Sequence, residues 1–281
     1  MKELPSPTLP LMHLLESPLR RRPQLAPAQT RSTGETPALE VVWARHLDEV
    51  RAVQRLRWRV FVDEMGACLP PTPQFGANHD VDRFDDHCEH LMVRLPAANG
   101  RPPEVIGTYR VLTPAAALRA GGLYSDGEFD LSPLDAWRPR MVELGRSCVH
   151  PNHRTGAVIM ALWAELAAFM ERNRLEAMIG CASVTMHDGG HHAASLWKRL
   201  QRQYLADPEF RLSPRLPLPV EQLDTTQDGE PPALLKGYLR CGARILGAPA
   251  WDPDFNTADL PVMLRLADLP DRYRRHFLRA E

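Results

Sequence analysis

The sequence predicts an α/β fold, with helices packed on the faces of one sheet, and three observations carry that expectation. Short β-rich runs alternate with stretches of helical period. Their order is strand, helix, three strands, helix, strand, helix, for which an α/β sandwich is the natural packing. At 281 residues, 44% hydrophobic and 25% charged, the chain can bury a substantial core as one large domain or two small ones.

The elements follow in order. "ALEVVWARH" is a short β-rich run, and in "LDEVRAVQRLRWRVFVDEMG" Val50, Val53, Leu56, Val60 and Phe61 share one helical face, so a strand and then a helix are expected, with the helix ending near Gly66. "ACLPPTPQFGANHDVDRFDDH" is a Pro, Gly and Asp loop too long for a simple connection, which marks it as functional. "CEHLMVRLP" and "EVIGTYRVLTP" read as an antiparallel hairpin joined by "AANGRPP". After a mixed segment, "PRMVELGRSCVHP" supplies a third strand.

"TGAVIMALWAELAAFMERN" is an apolar helix, "LEAMIGCASV" a buried strand and "HAASLWKRLQRQYLA" another helix. A Pro- and acid-rich linker, "RLSPRLPLPVEQLDTTQDGEPP", precedes a helical "ALLKGYLRCGARIL" and a strand "LPVMLRLADL", which could complete the same sheet. Residues 1–38, repeatedly broken by proline, are expected to form a mobile arm without a packed fold, leaving 39–281 as the folded unit. Within the arm, "LPLMHLLESPLRRR" could touch anionic lipid or be a merely solvated tail.

Composition excludes several classes. A net charge of -1 gives no global attraction to nucleic acid, so none is expected as a partner. No run reaches the roughly 20 apolar residues of a membrane span, and the N-terminus lacks a continuous apolar signal segment, so a cytoplasmic protein, with at most peripheral contact at the inner membrane, is expected. The five cysteines form no C-x-x-C pair, and neither "HDGGHH" nor "HPNH" matches H-E-x-x-H, so no metal is expected.

The stretch "ELGRSCVHPNHRTG", Glu143 to Gly156, combines a strand carrying a carboxylate and a guanidinium with a basic turn opening a helix. Such a turn presents backbone N–H groups and a positive helix end to an anion. Taken alone, it is also an ordinary helix cap.

With the order of elements around it, this turn resembles that of the GCN5-related N-acetyltransferases. The resemblance implies a three-layer α/β sandwich with a mixed, mainly antiparallel central sheet. Arg154 and Gly156 match the start of that family's phosphate signature, but the later glycine is absent. The departure suits a donor with one phosphodiester, such as the phosphopantetheine arm of acyl carrier protein.

The set "RWRVFVDEMG", "DVDRFDDHCEHLMV", "VIGTYRVL", "GGLYSDGEFDL", "ELGRSCVHPNHRTGAVIMALW", "GCAS" and "LLKGYLRCGARILGAPAWDPDFNTADLPVML" is similar, over residues 45 to 278, to the bacterial L-ornithine Nα-acyltransferases, a family that also carries a hemolysin label. It resembles the acyl-homoserine lactone synthases more loosely. The resemblance implies transfer of a 3-hydroxyacyl group from acyl carrier protein, as co-substrate with no other cofactor, to the α-amine of L-ornithine, giving lyso-ornithine lipid. A lactone synthase, acylation of another amino acid and a membrane-active hemolysin are the alternatives.

Amide formation from a thioester needs a neutral amine, a route for its proton and donors for the oxyanion. Glu143 is the expected base, directly or through water, or else a strand-end partner of Arg146. Arg146 lies three residues on and points to the opposite face unless a bulge intervenes; it is the expected partner of the substrate carboxylate or of an acidic side chain. Asp82 and Asp85 are the expected partners of ornithine's ammonium groups, against the alternative of a solvated Asp-rich turn. Arg110 would orient these carboxylates, and Glu64 completes the expected substrate-binding set. Arg154 and Gly156 are the expected phosphopantetheine site. Cys148 and Cys181, in apolar strands, are expected to be inert thiols, so transfer is direct.

Overall fold

The computed structural model describes residues 39–69, 78–98 and 100–277, so the expected N-terminal arm lies outside the described residues. Strand β1 (Glu40–Trp43) leads into helix α1 (Leu47–Trp58), whose last turn widens at Arg59–Glu64 before Gly66, at φ 76, ends it. Strands β2 (Glu89–Leu95) and β3 (Glu104–Leu112) form the expected hairpin. Helices α2 (Pro114–Ala120) and α3 (Ser125–Glu128) and strand β4 (Phe129–Asp130) follow. Strand β5 (Met141–Val149), helix α4 (Ala157–Arg172), strand β6 (Ala177–Thr185) and helix α5 (His191–Tyr204) come next.

The chain ends with β7 (Ser213–Pro214), α6 (Ala233–Arg240), β8 (Arg244–Ile245), β9 (Ala250–Asp252), β10 (Thr257–Arg265) and α7 (Asp271–Phe277). The main sheet has the order β1-β2-β3-β5-β6-β10-β8, with β9 also paired to β10; every pairing is antiparallel except β5 with β6. This is the expected mixed sheet.

Neighbouring strand residues face opposite layers. Val142 packs with Leu162, Leu166 and Phe169 of α4, whereas Met141 packs with Phe129, Leu131 and Leu134 on the other face. Val50 and Val53 of α1 bury against Met92, while Leu91 and Val93 meet the α4 layer. Ala182, Val184, Leu260 and Val262 carry α5 and α6. Each fully buried side chain of this kind contributes about 1.5 to 3 kcal/mol.

Two expectations change. The Pro-rich linker is packed, with Leu218 and Val220 buried under α5. The helix expected over "ALLKGYLRCGARIL" stops at Arg240, because Gly242 turns the chain at φ 95 where a Cβ would lie 2.6 Å from the Asp268 carbonyl oxygen. Among the described residues no helix is long and apolar enough to cross a membrane.

Candidate active site

Strand β5 runs beside β6 only from Met141 opposite Ala177 to Glu143 opposite Ile179, after which the two part. At the fork a Cβ on Gly180 would lie 2.4 Å from the Leu144 carbonyl oxygen, so a glycine lets the strands come this close before they diverge. On its other edge, β5 changes register against β3 between Cys148, opposite Thr108, and Gly145, opposite Arg110. Arg146 sits in this bulge at φ 49, a conformation costing roughly 1 to 3 kcal/mol and characteristic of functional sites. Because of the bulge, Glu143 and Arg146 both line one cavity of about 660 Å³ that opens where β5 and β6 part.

Glu143 is buried, and three donors occupy its carboxylate. Tyr124 N donates to Oε2 at 2.7 Å, and Ser125 N and Oγ donate to Oε1 at 2.8 and 2.5 Å. Burial raises its pKa above the usual glutamate range, opposed by these hydrogen bonds and by Arg110. Glu143 therefore fastens the start of α3 to the sheet, and both it and Ser125 line the cavity.

The loop carboxylates are engaged elsewhere. Arg57, fully buried on α1, donates to Asp85 Oδ1 at 2.7 Å and to Asp80 Oδ2 at 2.7 Å. Arg110 meets Asp82 at 2.6 Å and Asp85 at 3.4 Å, and Arg146 meets Asp82 at 3.1 Å. Burial pushes the Asp85 carboxyl up, but the charge and hydrogen bonds of Arg57 outweigh it and hold the group well below the usual range. Arg110 thus meets the two loop carboxylates it was expected to orient. Asp82 and Asp85, expected as ammonium partners, are placed by the structure on internal guanidinium groups, and neither lines the cavity. Arg146 is likewise committed, its guanidinium 4.3 Å from the Phe255 ring centroid and 5.0 Å from that of Tyr124.

A second acidic group lines the cavity, and sequence reasoning missed it. Asp259 on β10 lies opposite Ser183 of β6, and Asp252 on β9 lies opposite Thr257. Asp252 accepts from Tyr124 Oη at 3.1 Å and from Asp254 N at 2.9 Å; Asp259 accepts from Thr257 Oγ1 at 2.9 Å. Burial and then the charge of Asp252 push Asp259 up to about 6. Burial, then Asp252 and Asp259, push nearby Glu128 up to about 7. Among the described residues none of the three is ion-paired to a Lys or Arg. The available signal was the density of acids in "GEFD" and "WDPDFNTAD", which only the pairing of distant strands brings to one place.

At the mouth Arg154 and Gly156 stand before α4, with Gly156 at φ 87 as its N-cap, so the helix's first N–H groups face the opening. Arg154 meets Glu64 in a two-pronged pair. An anionic group could be held here by Arg154 and the helix end. The cavity's thiols are poor nucleophiles, since burial pushes Cys88 and Cys148 up to about 12 and Cys181 well above its ordinary value.

Residues 56–164 match a family model described as "Acetyltransferase (GNAT) domain". The N-acyl amino acid synthase FeeM, from uncultured soil microbes, has the same fold, at a TM-score of 0.50 and 12% identity over 86% of this chain and 96% of that one. The chain is thus built on the GNAT fold. An L-ornithine Nα-acyltransferase of Agrobacterium fabrum is 37% identical over 87% of this chain and 86% of its own length, and one of Rhizobium meliloti is 34% identical over the same shares. The chain belongs to the L-ornithine Nα-acyltransferase family.

Proposed function

We propose that the enzyme moves a fatty acyl group from the thioester of acyl carrier protein to the α-amine of L-ornithine, giving lyso-ornithine lipid. One observation carries the reading: the cleft lining reaches both faces of the sheet, with Asp252 and Asp259 joined by Tyr124, which packs on the Met141 face and is hydrogen-bonded to Asp252, and Met160, Leu234 and Tyr238 joined by Trp163, which packs on the opposite, Val142 face. The acidic part suits a small cation and the apolar part an alkyl chain. The relatives' names supply the reaction.

In this reading the side-chain ammonium of ornithine rests on Asp252 and Asp259, whose carboxylates are not neutralised internally. N–H groups of the splayed stretch of β5 stabilise the oxyanion that forms as the amine attacks the thioester carbon. The amine's proton passes to Ser125 Oγ as that hydroxyl gives its own to Glu143, whose raised pKa suits a base. The C–S bond breaks, the carrier sulfur takes up the proton that Glu143 returns through Ser125 Oγ and leaves as the thiol, and Arg154 with the α4 N-terminus holds the phosphate of its arm.

The test is to incubate the purified chain with 3-hydroxyacyl carrier protein and each of several amino acids, then identify the amide by mass spectrometry. Ornithine amide, in excess over those of neutral amino acids, is the expected product. Preference for a neutral acceptor, or release of free fatty acid alone, would refute the reading.

A further inference from the structure

The apolar part of the cleft lining includes one side chain held from several directions. Trp163, on α4, stacks on Tyr238 of α6 with ring centroids 5.4 Å apart and planes at 22°, and meets Phe277 of α7 edge-on at 6.4 Å. Its indole Nε1 donates to Tyr109 Oη at 3.2 Å, and that hydroxyl is in turn hydrogen-bonded to Tyr238 Oη. Helix α6 carries a glycine against the ring: a Cβ on Gly237 would lie 2.4 Å from the indole Cη2. Stack, hydrogen bond and missing side chain together fix the ring in one orientation.

Behind the indole lies a second, apolar cavity of about 30 Å³, with Leu166, Ala167, Leu264 and Leu269 among its walls. It shares Leu144, Trp163 and Tyr238 with the main cleft. The stacked pair is thus a partition between two spaces. Trp163 is half-buried, while Leu162 and Leu166 on the same helix are at most 2% exposed, so part of the indole faces open space.

We propose that Trp163, braced by Tyr238, is the end stop of the acyl-chain subsite and sets the longest chain the enzyme accepts. This rests on the acyl-transfer reading above. The acyl tail is the long apolar group of the two substrates, and a tail anchored at β5 by its thioester and directed away from Asp252 and Asp259 runs toward the indole. Each methylene that still finds apolar surface raises kcat/KM about fourfold, from roughly 0.8 kcal/mol per buried CH₂. A methylene that meets the fixed ring gains nothing and must bend or withdraw. Removing the indole joins the two cavities and gives the tail further room.

The experiment compares the full-length wild type with Trp163→Ala, Trp163→Leu and Gly237→Ala, each offered ornithine and a competing series of even-numbered straight-chain acyl thioesters, on carrier protein and on coenzyme A. The distribution of amide chain lengths is read by mass spectrometry. Trp163→Ala and Trp163→Leu are expected to move the optimum to longer chains, with the ratio of a product two carbons beyond the wild-type optimum to the optimum itself rising about fifteenfold when both methylenes are buried. Gly237→Ala, whose methyl displaces the indole from its stacked position, is expected to change the optimum from that of the wild type. A wild-type distribution in Gly237→Ala together with either folded Trp163 variant would overturn the end stop. Absence of amide from the wild type with every donor would overturn the acyl-transfer reading and the inference with it.

Discussion

Arg154 meets Glu64 through two parallel contacts, Nη1 to Oε1 at 2.6 Å and Nη2 to Oε2 at 2.7 Å, at the mouth of the cleft where the donor's phosphate is proposed to bind. Both side chains are part-exposed, so the pair itself contributes at most about 1 kcal/mol and yields readily to a phosphate. Arg154→Ala is expected to raise KM for the acyl donor about 10- to 100-fold, with kcat little changed, because a charge-assisted hydrogen bond is worth about 1.5 to 3 kcal/mol. Glu64→Gln, which frees the guanidinium, should lower that KM. Steady-state kinetics with varied donor decide between these outcomes and a purely structural pair, for which neither change would move KM.

Asp85→Asn is expected to lower stability by about 3 kcal/mol or more, because it leaves Arg57 buried with part of its charge unmatched. Urea unfolding measures the loss. Since Asp85 faces inward, any kinetic defect should be the same for ornithine and for its neutral analogue lacking the δ-amine. A selective defect with ornithine would return Asp85 to the substrate.

Asp259→Asn and Asp252→Asn are expected to raise KM for ornithine about 10- to 100-fold and to leave the neutral analogue nearly untouched. Asp259 titrates at about 6 and Glu128 at about 7, both above their ordinary values, so both are uncharged at lower pH. The preference for ornithine over the analogue should therefore grow as pH rises through that window. Taking the ratio of the two acceptors cancels the titration of the α-amine, which they share. The same raised values mean that these groups favour folding at low pH, and this contribution is lost as pH rises through about 6 to 7.

Glu143→Gln is expected to lower kcat by about 10²-fold or more, and Ser125→Ala by a similar factor. If the two form one relay, the double variant is no slower than Glu143→Gln alone, and the acidic limb of the rate profile disappears in each. Multiplying defects with an unchanged profile would make Glu143 a support for α3.

Gly180→Ala places a methyl against the Leu144 carbonyl oxygen, a backbone atom that cannot step aside. A loss of about 1 to 3 kcal/mol is expected in urea unfolding.

Much of the frame was legible in the sequence because each element announces itself locally. The hairpin, the strands through Glu143 and Cys181 and the apolar helix after Gly156 lie where period and turn residues placed them. The bulge at Arg146 was legible only as a condition, since nothing in "ELGRSCV" dictates a positive φ. The acidic loop was visible as a cluster, but its partner Arg57 sits 23 residues or more away on a helix that otherwise reads as a plain amphipathic one. Asp252 and Asp259 were invisible as a site because the pairing of β9 with β10 sets them near one another and Tyr124, more than a hundred residues distant, reaches Asp252 by a side-chain hydrogen bond.

The thiols of the cleft carry a last implication. Peroxide and electrophiles attack thiolates, and Cys88 and Cys148 remain thiols far above neutral pH, as does Cys181. The thiols of the reaction chamber are in this sense poor targets for such reagents. Cys68 is the exposed thiol, the one most open to an oxidant, and it does not line the cleft.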